Sequence, residues 1–234
     1  MTPLELSKGR DLIHDIHEYS INYENREIYL HSYFSNNTSD EEEPGVDYRM
    51  ANIFIKNINM LNSINNNNIL IHQQTMGGDW NYGIAIYDSI RLSKSTISML
   101  AYSWSRSMSS ITIQACDNRI LMPHTDFMVH LGSVYVEGTA QEVYTSIDQC
   151  KRSDRIMLDI YASRCINGSF FKKKGYDKIQ IKKYILNKMN NKTDWWLDPQ
   201  EAIDYGFIDG VYGERGFRDI DKIRNVKKKR FTLS

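Results

Sequence analysis

Between residues 26 and 122, short runs with strand character alternate with stretches of helical period, and this alternation constrains the fold more than any other feature. "REIYL" (26–30) reads as a strand, and "YRMANIFIKNINMLN" (48–62) repeats Met50, Phe54, Ile58 and Leu61 at helical spacing. "SINNNN" breaks that helix, and "ILIHQ" (69–73) reads as the next strand. "GIAIYDSIRL" (83–92) carries Ile84, Tyr87 and Ile90 on adjoining turns, and "STISMLA" (95–101) follows as a strand. "RILMP" and "FMVHL", separated by "HTD", supply two more. Strands joined through helices pair in parallel, because the crossover returns the chain to the same end of the sheet. The pattern therefore predicts α/β architecture with a largely parallel sheet.

Beyond residue 138 the pattern becomes helical. Thr139 and Glu142 stand three apart, as in a capping box, and predict a long helix over 139–164. Val143, Ile147, Cys150, Met157 and Tyr161 form its expected core stripe, with Asp154 as a polar gap. "CINGSFFKKKGYDK" (165–178) ends it, and "IQIKKYILNKMNN" predicts a second, basic helix. "DPQEAIDYG" (198–206) predicts a short helix stopped by Gly206. "SNNTSDEEEPG" (35–45) is expected to be a solvated acidic loop, and the tail "NVKKKRFTLS" a loose basic one. The expected organisation is an N-terminal segment over 1–25, one domain over 26–211 and a basic extension over 212–234.

The totals exclude several function classes. Lys plus Arg and Asp plus Glu number 29 each, so no net charge draws the chain to nucleic acid or a membrane surface. No run approaches the ~18 apolar residues of a membrane span, and the charged start predicts no secretory leader. The three cysteines, Cys116, Cys150 and Cys165, fit neither a disulfide framework nor a zinc site. They are expected to be buried, inert thiols in a reducing cytoplasm, and no metal or organic cofactor is implied.

"SRSMSS" (105–110) poses the chemical question, because four serines lie between two runs that look buried. The reading that follows is a helix starting at the serines, straight after a strand. A serine there is most simply an N-cap. It becomes a nucleophile only if a base takes its proton. His14, His17, His31, His72, His124 and His130 are the histidines available. Histidine suits the task because its pKa lies near neutrality.

The order of these pieces resembles the proteolytic subunits of the Clp proteases, the ClpP family of the crotonase-like fold, over roughly residues 15–210. "REIYL" with "MANIFIKNINMLN", "MGGDWNYGIAIYDSI", "SRSMSS", "DFMVH" and "DPQEAIDYGFID" carry the resemblance. It implies a superhelix of β-β-α units with a protruding handle helix. It implies Ser107 as nucleophile, His130 as general base and Asp194 as the orienting acid. Gly78 and Met108 would supply the oxyanion-hole N–H groups, with Gly77 shaping the turn. "HLGSVYVEG" (130–138) resembles the segment that pairs with substrate backbone, which places Leu131, Gly132 and Ser133 at the substrate. The handle at 139–164 resembles a ring–ring contact helix. The implied activity is that of a serine endopeptidase working through an acyl-enzyme on unfolded polypeptide. The implied partners are copies of itself or related subunits in a ring, heptameric and possibly doubled, and an AAA+ unfoldase.

The chain departs from the family pattern at several points. Arg106 precedes the serine, where a small residue is usual, and brings a charge close to the nucleophile and its pocket; Ser109 stands where a glycine usually follows Met. Asp79 follows the glycine pair, where a carboxylate would oppose a developing oxyanion unless it points away. Val134 and Tyr135 replace flexible glycines, and Thr193 replaces a basic residue linked to ring contact, leaving double-ring assembly open. The acidic loop at 35–45 and the lysine-rich stretch at 168–190 look like insertions. Three alternatives stay open: an inactive scaffold subunit, a virus-encoded maturation protease, and an acyl-CoA enzyme of the same fold. Plastid stroma and host cytoplasm remain alternative locations.

Overall fold

The computed structural model describes residues 3–31 and 45–225. The acidic loop at 35–44 and the tail beyond 225 lie outside the described residues. A helix, α1 (Pro3–Tyr19), opens the chain, and a two-residue strand, β1 (Ile21–Asn22), pairs antiparallel with β2 (Glu27–His31). Helix α2 (Tyr48–Ile64) leads to β3 (Ile69–Thr75), and α3 (Trp80–Leu92) leads to β4 (Ile97–Arg106). The pairs β2–β3 and β3–β4 are parallel, as crossovers through helices require.

Capping sets where these helices begin. Asp47 accepts from the N–H groups of Arg49 and Met50, and Asp79 accepts from those of Asn81 and Tyr82. The apolar stripe expected on α2 is buried: Met50, Phe54, Ile58 and Leu61 all face the core. Along β3, Ile69 and Ile71 enter the large core while Leu70 faces the opposite side of the sheet. Both faces are therefore covered, which explains the unbroken apolar runs in "ILI" and "SML". The second face is covered from the C-terminal side. Helix α9 (Ile220–Arg224) seats Ile223 against Leu70, Leu100 and Ile120.

Strand β4 divides the sheet. Its first half pairs with β5 (Asn118–Leu121), and its second half pairs with β6 (Asp126–Val129). Between them, α4 (Met108–Thr112) and a 3-10 turn at Ile113–Ala115 cross the core side. Helix α5 (Ala140–Cys165) carries the capping box expected at Thr139 and Glu142. Only its second half packs in the core, through Met157, Leu158, Ile160 and Tyr161. The expected core stripe thus fails in its first half, where Ile147 is 41% exposed and Tyr144 is 64% exposed. The chain then runs through α6 (Ser169–Lys174), α7 (Lys178–Lys192), β7 (Trp195–Leu197), α8 (Pro199–Tyr205) and β8 (Gly210–Val211). Among the described residues no helix is long and apolar enough to cross a membrane.

One buried ion pair ties this C-terminal part to the sheet. The Arg119 guanidinium donates to both carboxylate oxygens of Asp209, each at 3.0 Å. It also donates to Gln114 and to the backbone carbonyls of Gly206 and Phe207. Every polar direction of the guanidinium that points inward thus meets an acceptor. Removing one partner strands the other charge in a medium that solvates it poorly. Asp209→Ala is expected to destabilise the domain by about 3–5 kcal/mol. Urea denaturation followed by tryptophan fluorescence would show this as a lower midpoint.

Candidate active site

Strand register brings three distant segments together. Thr75 of β3 lies opposite Ser105 of β4, so Gly77 and Ser107 meet just past the strand ends. Arg106 pairs with Met128 of β6, and the Ser107 N–H donates to the Met128 carbonyl at 3.2 Å. His130 therefore begins two residues beyond that contact. Strand β7 runs antiparallel to β6 with Val129 opposite Trp195, so the next residues outward are His130 and Asp194. Asp194 itself follows the end of α7, where Thr193 turns the chain at a positive φ of 59°.

The side chains complete a relay. The Ser107 Oγ lies 2.8 Å from His130 Nε2, and His130 Nδ1 lies 3.0 Å from Asp194 Oδ1. With the ring proton on Nδ1, facing Asp194, Nε2 would be the acceptor for the serine hydroxyl. The His130 side chain is 22% exposed and that of Asp194 44%, so water reaches the acid more readily than the base.

Ser107 heads α4, yet its side chain makes no capping bond; the hydroxyl is directed at His130 instead. Its backbone sits at φ 53° and ψ −129°, a region that costs a non-glycine residue about 1–3 kcal/mol. The other serines are structural. Ser109 donates to the Thr75 carbonyl at 2.6 Å, and Ser110 bonds the Tyr161 hydroxyl at 2.7 Å. Ser105 is fully buried on β4.

Gly77 stands directly behind the serine. A Cβ built there would lie 2.6 Å from the Ser107 Cβ and 2.8 Å from the Arg106 carbonyl oxygen. Gly78 makes a parallel bridge with Val46, and a Cβ on it would lie 2.4 Å from the Val46 nitrogen. Gly78 and Met108 both border the cleft beside Ser107. Met108 is the first residue of α4, so its N–H has no carbonyl partner within that helix.

A cleft of about 540 Å³ opens in front of Ser107 and His130. Leu131, Gly132 and Ser133 line one side, whereas Gly77 does not reach the lining. Helix α5 forms the facing wall with Cys150, Ser153, Asp154 and Met157, residues that share one helix face. The sequence reading missed this wall, although the polar gap at Asp154 was its visible signal. Cys150 is half-buried on it and is therefore not the buried thiol expected; Cys116 and Cys165 are buried, and burial pushes both thiols up. His72 is away from the cleft, with Nδ1 2.7 Å from the Tyr102 hydroxyl and its ring stacked on Tyr29. Among the described residues no group of histidine, cysteine and acidic side chains is placed to hold a metal ion.

Two of the departures have structural explanations. Arg106 lies over the Trp104 ring at 4.4 Å, on the same strand face, and is absent from the cleft lining. The Asp79 carboxylate is committed to the N–H groups of Asn81 and Tyr82, so its charge is spent on the helix α3 terminus.

The Clp protease family model matches residues 41–215, about three quarters of the chain. The chain belongs to the Clp protease family. Similar proteins include the ATP-dependent Clp protease proteolytic subunit of Deinococcus radiodurans, 28% identical over 169 residues, which cover 71% of this chain and 76% of that one. The subunit of the same name from Paracoccus denitrificans is 28% identical over 150 residues, covering 63% and 65% of the two chains. Within this Clp protease family member, the mixed α/β sheet and the half-exposed helix α5 agree with the fold the resemblance implied.

Gly77→Ala tests how closely the turn depends on its neighbour. The added methyl meets backbone and the serine Cβ, and the residue holds φ at 102°. The variant is expected to lose more than about 100-fold in reactivity of Ser107 toward a fluorophosphonate. Its stability is expected to fall by about 1–3 kcal/mol, read by thermal unfolding.

Proposed function

We propose that this chain is a serine endopeptidase that cleaves unfolded polypeptide through an acyl-enzyme on Ser107. The observation that carries the reading is the unbroken contact from Ser107 Oγ to His130 Nε2 to Asp194. His130 removes the hydroxyl proton as oxygen attacks the scissile carbonyl, and Asp194 stabilises the imidazolium that forms. The N–H groups of Gly78 and Met108 receive the oxyanion, each such donor being worth about 3–4 kcal/mol in the transition state. His130 then returns the proton to the leaving amine, and water repeats the sequence to release the acyl group.

Substrate backbone would lie along Leu131, Gly132 and Ser133 as an added strand, a mode that tolerates varied side chains. Among the described residues, 130–138 lie in no strand, which leaves backbone for such pairing. The exposed Tyr144 and Ile147 on α5 support assembly with further copies into a ring. The relatives bear the name ATP-dependent, which supports an AAA+ unfoldase as the source of unfolded polypeptide. An inactive scaffold role finds no support in this geometry, since Arg106 and Asp79 are both turned to other tasks.

Fluorophosphonate labelling followed by peptide mapping tests the reading. Label on Ser107, lost in Ser107→Ala together with peptide hydrolysis, is the expected result. Asp194→Asn is expected to lower turnover between about 10²- and 10⁴-fold while the fold is kept. An assembled protein that neither takes the label nor cuts any peptide would overturn the proposal.

A further inference from the structure

We propose that Asp154 gives the cleft a preference for lysine or arginine on the acyl side of the cleaved bond. This rests on the serine-peptidase reading and extends it to substrate class.

Asp154 lies on the α5 wall of the cleft that Ser107 and His130 also line. Among the described residues its carboxylate has no hydrogen bond or ion pair, and partial burial raises its pKa from the ordinary carboxylate value. Among the described residues no cationic side chain offsets it. Arg106 is held on Trp104 and does not line the cleft, and Lys151 pairs with Asp148 on the exposed side of the helix. Asp79, the other carboxylate bordering the cleft, is occupied by the α3 N-terminus. The cleft therefore carries one uncompensated negative charge.

An acyl-enzyme on Ser107 presents its nearest side chain to this cleft. Met157 and Ile111 supply apolar surface for a methylene stem, and Asp154 with Ser153 supplies acceptors for a cationic head. Lysine and arginine have that division into stem and head. An apolar side chain would take water from the carboxylate without replacing its hydrogen bonds, and an acidic one would repel it.

The test uses the assembled full-length protein and matched fluorogenic peptides bearing lysine, leucine or glutamate next to the cleaved bond. The expected kcat/KM ratio of lysine to leucine is about tenfold or more, the size of one charge-assisted contact. Asp154→Asn is expected to bring that ratio close to one, and Asp154→Glu to keep most of it. Asp154→Lys is expected to favour the glutamate peptide, a reversal that general loosening of the helix would not produce. A wild-type ratio near or below one, or a ratio unchanged in Asp154→Asn, overturns the proposal. Wild-type protein that labels at Ser107 yet shows no such bias ends the specificity alone. Absence of both label and hydrolysis ends the peptidase reading and the specificity with it.

Discussion

The site depends on one strained backbone position. Ser107 holds φ at 53°, and nothing in its own side chain favours that conformation. Relaxed into a strand or a helical conformation, the residue would carry its hydroxyl away from His130. Two contacts oppose this relaxation. The Ser107 N–H is held by the Met128 carbonyl, and Gly77 presses against its Cβ side with no side chain of its own. The strain is thus balanced by strand register on one side and close backbone packing on the other.

The division of β4 explains why both contacts occur at one place. Ser98–Ala101 pair with β5, whereas Trp104–Arg106 pair with β6. A strand that exchanges neighbours midway leaves an opening where they part, and the turn into α4 emerges there. The same arrangement puts Asp194 in reach, because β7 pairs with β6 and with no other strand among the described residues. Arg119 reinforces it from β5 by gripping the backbone just past α8. Asp194 is therefore positioned by the pairing of β7 with β6 on one side and by the end of α7 on the other.

Much of this was legible in the sequence. The helical spacing of Met50, Phe54, Ile58 and Leu61 and the capping box at Thr139 depend on local chemistry, and both appear as read. Helix α1 was not legible, because residues 3–19 are polar and form no sustained apolar stripe. The short α6 falls inside a lysine-rich stretch, and its signal is a tertiary one, the packing of Phe170 and Phe171 against Tyr184 and Tyr205. The end of β4 was hidden by its serines, although Trp104 and Arg106 alternate as strand residues should. Arg106 looked like a charge in the pocket because spacing alone does not say which face of a strand borders a cleft. Asp154 looked like a flaw in a core stripe because the stripe was assumed to be buried along its whole length. The apolar stripe enters the core only from Met157 onward, and Asp154, half-buried one turn before it, lies on the cleft wall instead of in the core.

The cleft also adjoins exposed surface of α5. Leu131, Gly132 and Ser133 line it, yet residues 130–138 take no strand partner among the described residues. Backbone without a strand partner beside exposed Tyr144 and Ile147 could gain hydrogen bonds and apolar contact from another polypeptide. A substrate can provide the first and a neighbouring subunit the second. Whatever orders 130–139 also fixes the cleft wall and the backbone entering His130 from the outer side. His130 is thus anchored by β6 on one flank, and under the proposed function a bound polypeptide would anchor it on the other. Binding energy gained at that flank would favour the arrangement in which Ser107, His130 and Asp194 are in contact. Under the proposed function, the reactivity of Ser107 would in this way be linked to occupancy of the adjoining segment, through a few residues of continuous backbone.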